Sequence, residues 1–588
     1  MSRRSILVLC GASLVVIAAA CHSWTVATPA ASAFVGRHLA GAYGLAFTAD
    51  GPTTLTLLPV PRLSFGGVRL LHDGRLLAES RALDVQLGLG GLLTGRAEAA
   101  ALTLSDARLV WAAGDDRWTA PLARITARLG EGVRPLRRLV LDGARVTGPE
   151  EGAPDELAGL AVALTWPRPG AALELSGRGT WRGQPASVRL TAAHPLGLAA
   201  GGTSPFTAAL SWPAGSLELD GTGSWSGHST GSPAGSWKDG LRLAGEVRGT
   251  AALPATLAWL GTAAPLAPLL GRVAFEGRFE AEPGAVAMPA LRLDVADARL
   301  EGAGAAVMSG GRLALSGTLA AERIDLSALI EVAAAGTRPA PALDAFTRGD
   351  LDLRLSAAAA RVGSFQAEDV AAGLMIRAGA VEATLGRATV AGGTVKGRAA
   401  LAAGAAGVDL RVQGTADRID LGALLADLDL PRWAGGRAQG SLVLDTAGAD
   451  LAEMGRRLAG RAALTVEGGE VLGLSLAEGA EPQLRRGGRL AFERAQATLG
   501  LAGGVGEITA GQVRTTTSAA ALRGRVFLAE RRLAATAEIE PRGGDPLRPA
   551  AETRLFEIAG PWTALRTRAL SPQRPGPALP TAASAYAP

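Results

Sequence analysis

Cysteine is nearly absent from this chain. Its 588 residues include two, Cys10 and Cys21, both in or beside one apolar amino-terminal stretch. Everything downstream therefore lacks disulfides and thiolate metal sites. Lysine is as scarce: Lys238 and Lys396 are the only two, and arginine supplies the rest of the basic charge. Such a bias reflects GC-rich coding better than phosphate recognition. The five histidines, His22, His38, His72, His194 and His228, include no pair at metal-ligand spacing. The net charge is only +5 and the signs are interspersed, so no basic stripe exists on which nucleic acid could bind. Aromatic residues make up 4% of the chain. Aromatics usually anchor compact cores; here the apolar content is Ala, Leu and Val, with abundant Gly.

What is present begins at the amino terminus. Arg3 and Arg4 precede an uncharged, mostly apolar stretch from Ser5 to Ala20, and the next formal charge is Arg37. Positive charge before an apolar segment and none just after it predicts a cytoplasmic amino terminus and an exported body. The core Ile6, Leu7, Val8, Leu9, Leu14, Val15, Val16 and Ile17 is short for a spanning helix of about 20 residues. Trp24, Val26 and Ala27 can extend it, with Trp24 as an interfacial anchor. A cleaved signal ending at Ala31-Ser32-Ala33 and a lipoprotein signal at Ala18-Ala19-Ala20-Cys21 are the alternatives. The retained anchor is the expectation. All three readings export the body.

After Ala49 the dominant pattern is alternation with period two. Leu83-Asp84-Val85-Gln86-Leu87-Gly88-Leu89, Leu351-Asp352-Leu353-Arg354-Leu355 and Val408-Asp409-Leu410-Arg411-Val412 are clear cases. Each is a strand with one apolar and one polar face. Gly-rich turns separate the strands at intervals of about ten residues, as in an antiparallel meander rather than βαβ units. Segments recur. Leu173-Glu174-Leu175 with its following Gly-rich turn returns at Leu217-Glu218-Leu219, and Arg323-Ile324-Asp325-Leu326 returns at Arg418-Ile419-Asp420-Leu421. Repetition suggests a sheet that grows strand by strand. Helices are few. Pro29 to Tyr43 is one, and Ala449 to Leu458, closed by Gly460, is another. Asp325 and Asp420 are placed to cap short helices after their strands.

Several motifs imitate chemistry. Gly227-His228-Ser229-Thr230-Gly231 matches a G-x-S-x-G elbow, but its flanks are Ser- and Gly-rich rather than strand and helix. Gly177 to Gly183 and Gly221 to Gly227 match G-x-G-x-x-G, yet the first runs into a turn and another strand. Asp115-Asp116 reads as a solvated hairpin end. Arg137-Arg138, Arg485-Arg486 and Arg531-Arg532 suit exposed strand ends as well as lipid headgroups. No catalytic, metal-binding or cofactor-binding residue is assigned.

The order of features resembles the AsmA family of bacterial envelope proteins. At the amino terminus it is carried by Leu57-Leu58-Pro59-Val60-Pro61, Leu92-Leu93-Thr94-Gly95 and Asp115-Asp116-Arg117-Trp118. At the carboxy terminus it is carried by Gly440-Ser441-Leu442-Val443-Leu444, the run from Leu458 to Gly473, and Phe556-Glu557-Ile558-Ala559-Gly560-Pro561-Trp562. That family is similar to chorein-like, bridge-type lipid carriers. The resemblance implies a mainly β chain: an amino-terminal transmembrane helix, then an elongated, repetitive antiparallel sheet curled into an open apolar trough, with a few short helices. It implies a non-enzymatic protein, single-pass in the bacterial inner membrane with its bulk in the periplasm. Its function would be phospholipid transport toward the outer membrane, or outer-membrane biogenesis. The implied partners are phospholipid acyl chains, the inner membrane, and outer-membrane or envelope proteins. Two other functions remain open, an assembly factor for outer-membrane proteins that carries no lipid and an exported hydrolase using Ser229. The expected organisation is an anchor at 1–28, an amino-terminal β region at 29–150, a repetitive meander at 151–310, a carboxy-terminal β region at 311–565 and a Pro/Ala-rich disordered tail at 566–588. Candidate trough-lining residues are Leu83, Val85, Leu87, Leu89, Leu351, Leu353 and Leu355.

The charge asymmetry around the apolar stretch is directly testable. A reporter fused after Trp562 should be active only in the exported compartment, and a cytoplasmic readout would refute the orientation. Amino-terminal sequencing of the mature protein separates anchor, cleaved signal and acylated Cys21.

Overall fold

A computed structural model describes residues 20–88, 99–111, 118, 136–148, 157–225, 240–261, 271–327, 349–404, 407–477, 483–527, 530–542, 553–562 and 564–570. These residues hold 31 strands and five short helices. The chain divides into two compact units, residues 1–296 with 301–310, and residues 297–300 with 311–588. The anchor residues Ile6 to Ile17, Leu89, Asp115-Asp116, the G-x-S-x-G stretch 227–231 and residues 571–588 lie outside the described residues.

The first unit starts with β1 (Trp24–Val26), α1 (Thr28–Tyr43), β2 (Ala46–Ala49), β3 (Thr53–Thr56), β4 (Arg62–His72) and β5 (Arg75–Leu87). It continues with β6 (Ala99–Ser105), β7 (Arg108–Val110), β8 (Arg138–Thr147), β9 (Leu157–Thr165), β10 (Leu173–Trp181) and β11 (Gln184–Ala192). Then follow α2 (Pro195–Ala199), β12 (Thr203–Trp212), β13 (Gly215–Trp225), β14 (Leu241–Ala252), α3 (Leu253–Trp259), β15 (Arg272–Glu282) and β16 (Ala285–Val295). The strand β17 (Ala298–Ser309) is divided between the units. From β8 to β16 each strand pairs antiparallel with its sequence neighbours. The first GxGxxG stretch is a strand and a tight turn. Arg182 and Gly183 both have positive φ, 49° and 75°, the pattern of a two-residue hairpin turn, and β11 follows.

The second unit contains β18 (Arg312–Asp325), β19 (Asp350–Val362), β20 (Phe365–Arg377), β21 (Ala380–Val390), β22 (Gly393–Gly404) and β23 (Gly407–Asp420). After α4 (Leu421–Asp427), β24 (Ala434–Gly448) and α5 (Leu451–Arg456) come the long strands β25 (Ala459–Ala477) and β26 (Gln483–Ala502). The unit closes with β27 (Val505–Arg514), β28 (Ser518–Phe527), β29 (Arg532–Pro541), β30 (Arg554–Pro561) and β31 (Arg566–Leu570). From β19 to β31 neighbouring strands are again antiparallel. Arg566–Leu570, expected in the tail, instead adds this last strand, with Ala569 opposite Phe556.

Among the described pairings the meander has two parallel steps that alternation alone does not reveal. β8 runs parallel to β6 and β7, and β19 runs parallel to β18. Parallel neighbours need a crossover of a dozen or more residues. The longest gaps in the strand pattern, after β7 and after β18, supply that length.

Helix chemistry is local. Pro29 opens α1, and Gly44 ends it at φ 68°, its N–H donating to the Ala40 carbonyl while the Leu45 N–H donates to the Leu39 carbonyl. Asp420 accepts from Ala423 N at 3.0 Å and caps α4. Asp325 accepts from Ser327 N at 2.8 Å, and hydrogen bonds from the Ser327 hydroxyl and backbone hold its carboxyl below the usual range. At α5, the N-cap Asp450 accepts from Glu453 N, and the Glu453 carboxylate accepts from the N–H of Ala449 just before the cap. That helix covers only Leu451–Arg456. Gly460 is no cap; it pairs with Leu444 inside β25, because the ladder with β24 takes the backbone as soon as the helix ends.

Trp24 and Val26 do not extend an apolar helix. They form β1, with Trp24 opposite Leu55; of the described residues before them, Ala20 and Cys21 are helical. Among the described residues no helix is long and apolar enough to cross a membrane.

The best-packed core lies under α1. Ala31, Val35 and Leu39, four residues apart, face Phe47, Phe65, Leu83 and Val85 across one buried cluster. The Phe47 and Phe65 rings meet edge to face at 5.2 Å. His72 is buried beside it, with Nδ1 3.0 Å from the Gly44 carbonyl. Away from that core, Trp181, Trp212 and Trp259 cluster where α3 meets the hairpin ends. Trp259 Nε1 donates to the Trp181 carbonyl at 2.7 Å, and the Arg182 guanidinium lies 4.9 Å from the Trp181 ring centre. Phe65 is 1% exposed. Phe65→Ala should cost about 3–5 kcal/mol, read as a lower urea midpoint, whereas Trp24→Ala on an exposed edge should change it little.

Candidate functional site

The site is built by register. Residues opposite one another on paired strands share a face, so the pairings can be followed across a whole unit. In the second unit Leu353 faces Leu374, then Ala383, Ala399, Val412 and Leu444. The same row continues through Gly460, Leu501, Gly506, Val526, Leu533 and Gly560. Twelve strands contribute, and none contributes a polar side chain. The row from Leu355 runs beside it through Ala372, Leu385, Gly397, Gly414 and Leu442 to Ile558. A third, from Ala388 through Val395, Ala416, Gly440 and Leu464 to Phe556, is equally apolar. At about 4.8 Å per strand the Leu353 row is ~50 Å long.

The other face is charged. Arg411 pairs with Asp445, Arg398 lies 2.6 Å from Glu382, and Arg387 lies 3.1 Å from Asp369. The Asp445 carboxylate raises the Arg411 pKa by hydrogen bonding first and by charge second. These pairs are solvent-exposed and worth little individually. They keep this side of the sheet in water.

The first unit repeats the design. One row starts at Trp24 and runs through Leu55, Leu63, Val85, Leu102 and Leu139. It goes on through Leu164, Leu175, Leu190, Ala208, Leu219 and Val247. Phe206, Val247 and Phe279 form a cluster on this face whose packed neighbours all come from strands β11 to β16. The Phe275 ring occupies the space above Gly249, where any side chain would collide with it. On the reverse face Glu218, Arg248, Glu276 and Arg292 stand in register. Arg292 bonds Glu276 at 2.6 Å and Glu301 at 3.0 Å.

The candidate residues thus fall into two environments. Leu83 and Val85 are each 2% exposed and Leu87 is buried with them. Their face is apolar as the alternation requires, but α1 covers it, so they are core residues and line no open surface. Leu351, Leu353 and Leu355 are only half-buried. Sequence reading missed Leu464, which is 42% exposed, and Leu315, also 42%, opposite Leu351. Leu464 sits within the apolar face between Ala462 and Val466. The signal was there in Leu464-Thr465-Val466, but nothing in a single strand reports what lies over it.

Among the described residues no group of three or more His, Cys, Asp or Glu side chains could hold a metal ion.

Residues 326–510 match the AsmA family model. The match takes in β19 to β26 and part of β27, the strands that carry the half-exposed part of the apolar face, and it points to an envelope-associated protein. It spans less than a third of the chain, and the amino-terminal resemblance lies outside it. No curated protein and no solved structure matches the chain.

Burial separates the two sets of candidates experimentally. Val85→Glu would strand a charge in the core under α1, at a cost of several kcal/mol, and should abolish protease resistance of the first unit. Leu353→Glu sits where water can follow the charge and should leave resistance of the second unit intact. Equal sensitivity of both variants would show that the Leu353 face is closed too.

Proposed function

We propose that this protein is a periplasmic, inner-membrane-anchored carrier that holds phospholipid acyl chains against the apolar face of its sheet, acting in phospholipid transport between the inner and outer membranes or in outer-membrane biogenesis. The carrying observation is the uninterrupted apolar face, open at Leu353, Leu464 and Leu315 in strands that lie in or beside the family match. A sheet face without polar groups is unfavourable in water and takes an apolar cover. Its rows lack hydrogen-bond donors and acceptors that could orient a polar ligand. Small residues such as Gly397, Gly414 and Ala462 leave it smooth, which suits flexible chains of methylenes. One leaflet of a bilayer is about 15 Å of hydrocarbon, so the ~30 Å of this row from β19 to β25 has room for an acyl chain.

In each unit the acyl chains lie on the apolar face, and the charged face looks to water. The inner membrane holds the amino-terminal segment, and envelope proteins are the partners. The chain works without catalysis, so Ser229 is dispensable.

Native mass spectrometry of the detergent-free protein should show co-purified phospholipid. Leu353→Glu and Leu464→Glu should strip it while the fold survives. Asp352→Arg, on the water-facing side, should leave the lipid in place, and Ser229→Ala should support normal outer-membrane integrity in cells. A folded protein without lipid in any preparation would favour an assembly factor instead.

A further inference from the structure

The apolar face of the second unit changes character along its length, and the change has a structural cause. Between β19 and β25 the face is mixed, with Leu353 half-buried and Leu464 42% exposed beside a buried patch of Ala388, Ala438 and Val466 packed by Leu421 and Leu424 of α4, but at the far end Ala535, Ala537, Phe556 and Ile558 are all between 2% and 6% exposed. The strand residues all belong to rows of the same face. What closes the far end is the chain itself. Residues Gln483 to Phe492 run along β25 but have no partner on β27, whose ladder with β26 begins only at Arg494. Strands β25 and β26 therefore project as a two-stranded arm. A register shift between Leu472 and Leu474, and positive φ near 90° at Gly473, Gly487 and Gly488, allow the arm to bend. Leu476 and Leu484, opposite each other on the arm, pack onto Ala537, Ile539, Phe556 and Ile558 of β29 and β30. The Thr567 hydroxyl of β31 reaches the Leu484 carbonyl at 3.4 Å.

We infer that the acyl-chain site of this unit is bounded: it spans β19 to β25 and ends at a stop formed by the β25–β26 arm, which seals β28 to β30 from lipid. This rests on the proposed lipid-binding function. A face open from end to end would let chains run off its carboxy-terminal edge. The arm prevents that, so chains enter and leave over the strands between Leu353 and Leu464.

The test uses the unmodified full-length protein in vesicles of phosphatidylethanolamine and phosphatidylglycerol doped with a phospholipid bearing a diazirine in its acyl chain. Adducts mapped by peptide mass spectrometry after illumination should fall on residues 351–466 and be lost from residues 532–541 and 554–561. Adducts equally abundant on both would overturn the stop. Absence of adducts everywhere would overturn lipid binding itself, a distinct result. Leu484→Asp should lift the arm and bring adducts onto 554–561 while those on 351–466 persist. Should that variant lose protease resistance, Leu484→Ala with Leu476→Ala makes the same prediction with a milder change. A folded variant of either kind with 554–561 still protected would mean that the arm is not the seal.

Discussion

Everything in this fold follows from a sheet face that the chain makes apolar and covers only in part. Backbone groups are satisfied sideways, each strand bonding the next, so the ladder can be extended without limit. Side chains on the apolar side have no such partner. In most antiparallel proteins a second layer of helix or sheet supplies it. Here the described helices are short: besides α1, none exceeds seven residues. The meander is long and its covering is local.

Covering is local: mid-way in the second unit Leu421 and Leu424 of α4 pack on Ala388, Ile419, Ala438 and Val466, and two larger coverings lie elsewhere. In the first unit α1 lays Ala31, Val35 and Leu39 over Leu83 and Val85 and makes an ordinary core. In the second unit the arm of β25 and β26 lays Leu476 and Leu484 over Phe556 and Ile558. One device is a helix and the other a bent hairpin, but the physical task is the same. Between the covered portion and the open one the residue types hardly change; exposure does. The same Leu can be core or lining depending on what the chain puts above it.

Composition serves the open portion. Glycine and alanine at cross-strand positions such as Gly397–Gly414 and Ala383–Ala399 lower the relief of the surface. Larger residues next to them, Leu442, Leu444 and Leu464, keep the rows apolar. The cost is a sheet with fewer deep packing contacts, so strand ladders and charged cross-strand pairs on the reverse face hold much of the register. Arg292 between Glu276 and Glu301, and Arg411 beside Asp445, act in this way: each fixes which residues stand opposite, while contributing little net stability in water.

The sequence by itself determined the strands, their two faces and several ends. Period two in Leu351-Asp352-Leu353-Arg354-Leu355 can only be a half-buried strand, and Pro29, Gly44 and Asp420 mark helix boundaries by chemistry that acts over a few residues. It could not determine the parallel steps at β8 and β19, because pairing across a long crossover depends on residues far apart in the chain. Nor could it show that Gly460 continues a ladder or that Trp24 starts a strand; each is decided by a partner strand. The separation of Leu83 and Val85 from Leu353 and Leu355 was likewise left to the tertiary structure. Alternation reports which side of a strand is apolar, a property of the strand alone. Whether a helix, an arm or neither lies over that side depends on how distant segments fold back, and only the three-dimensional arrangement decides that.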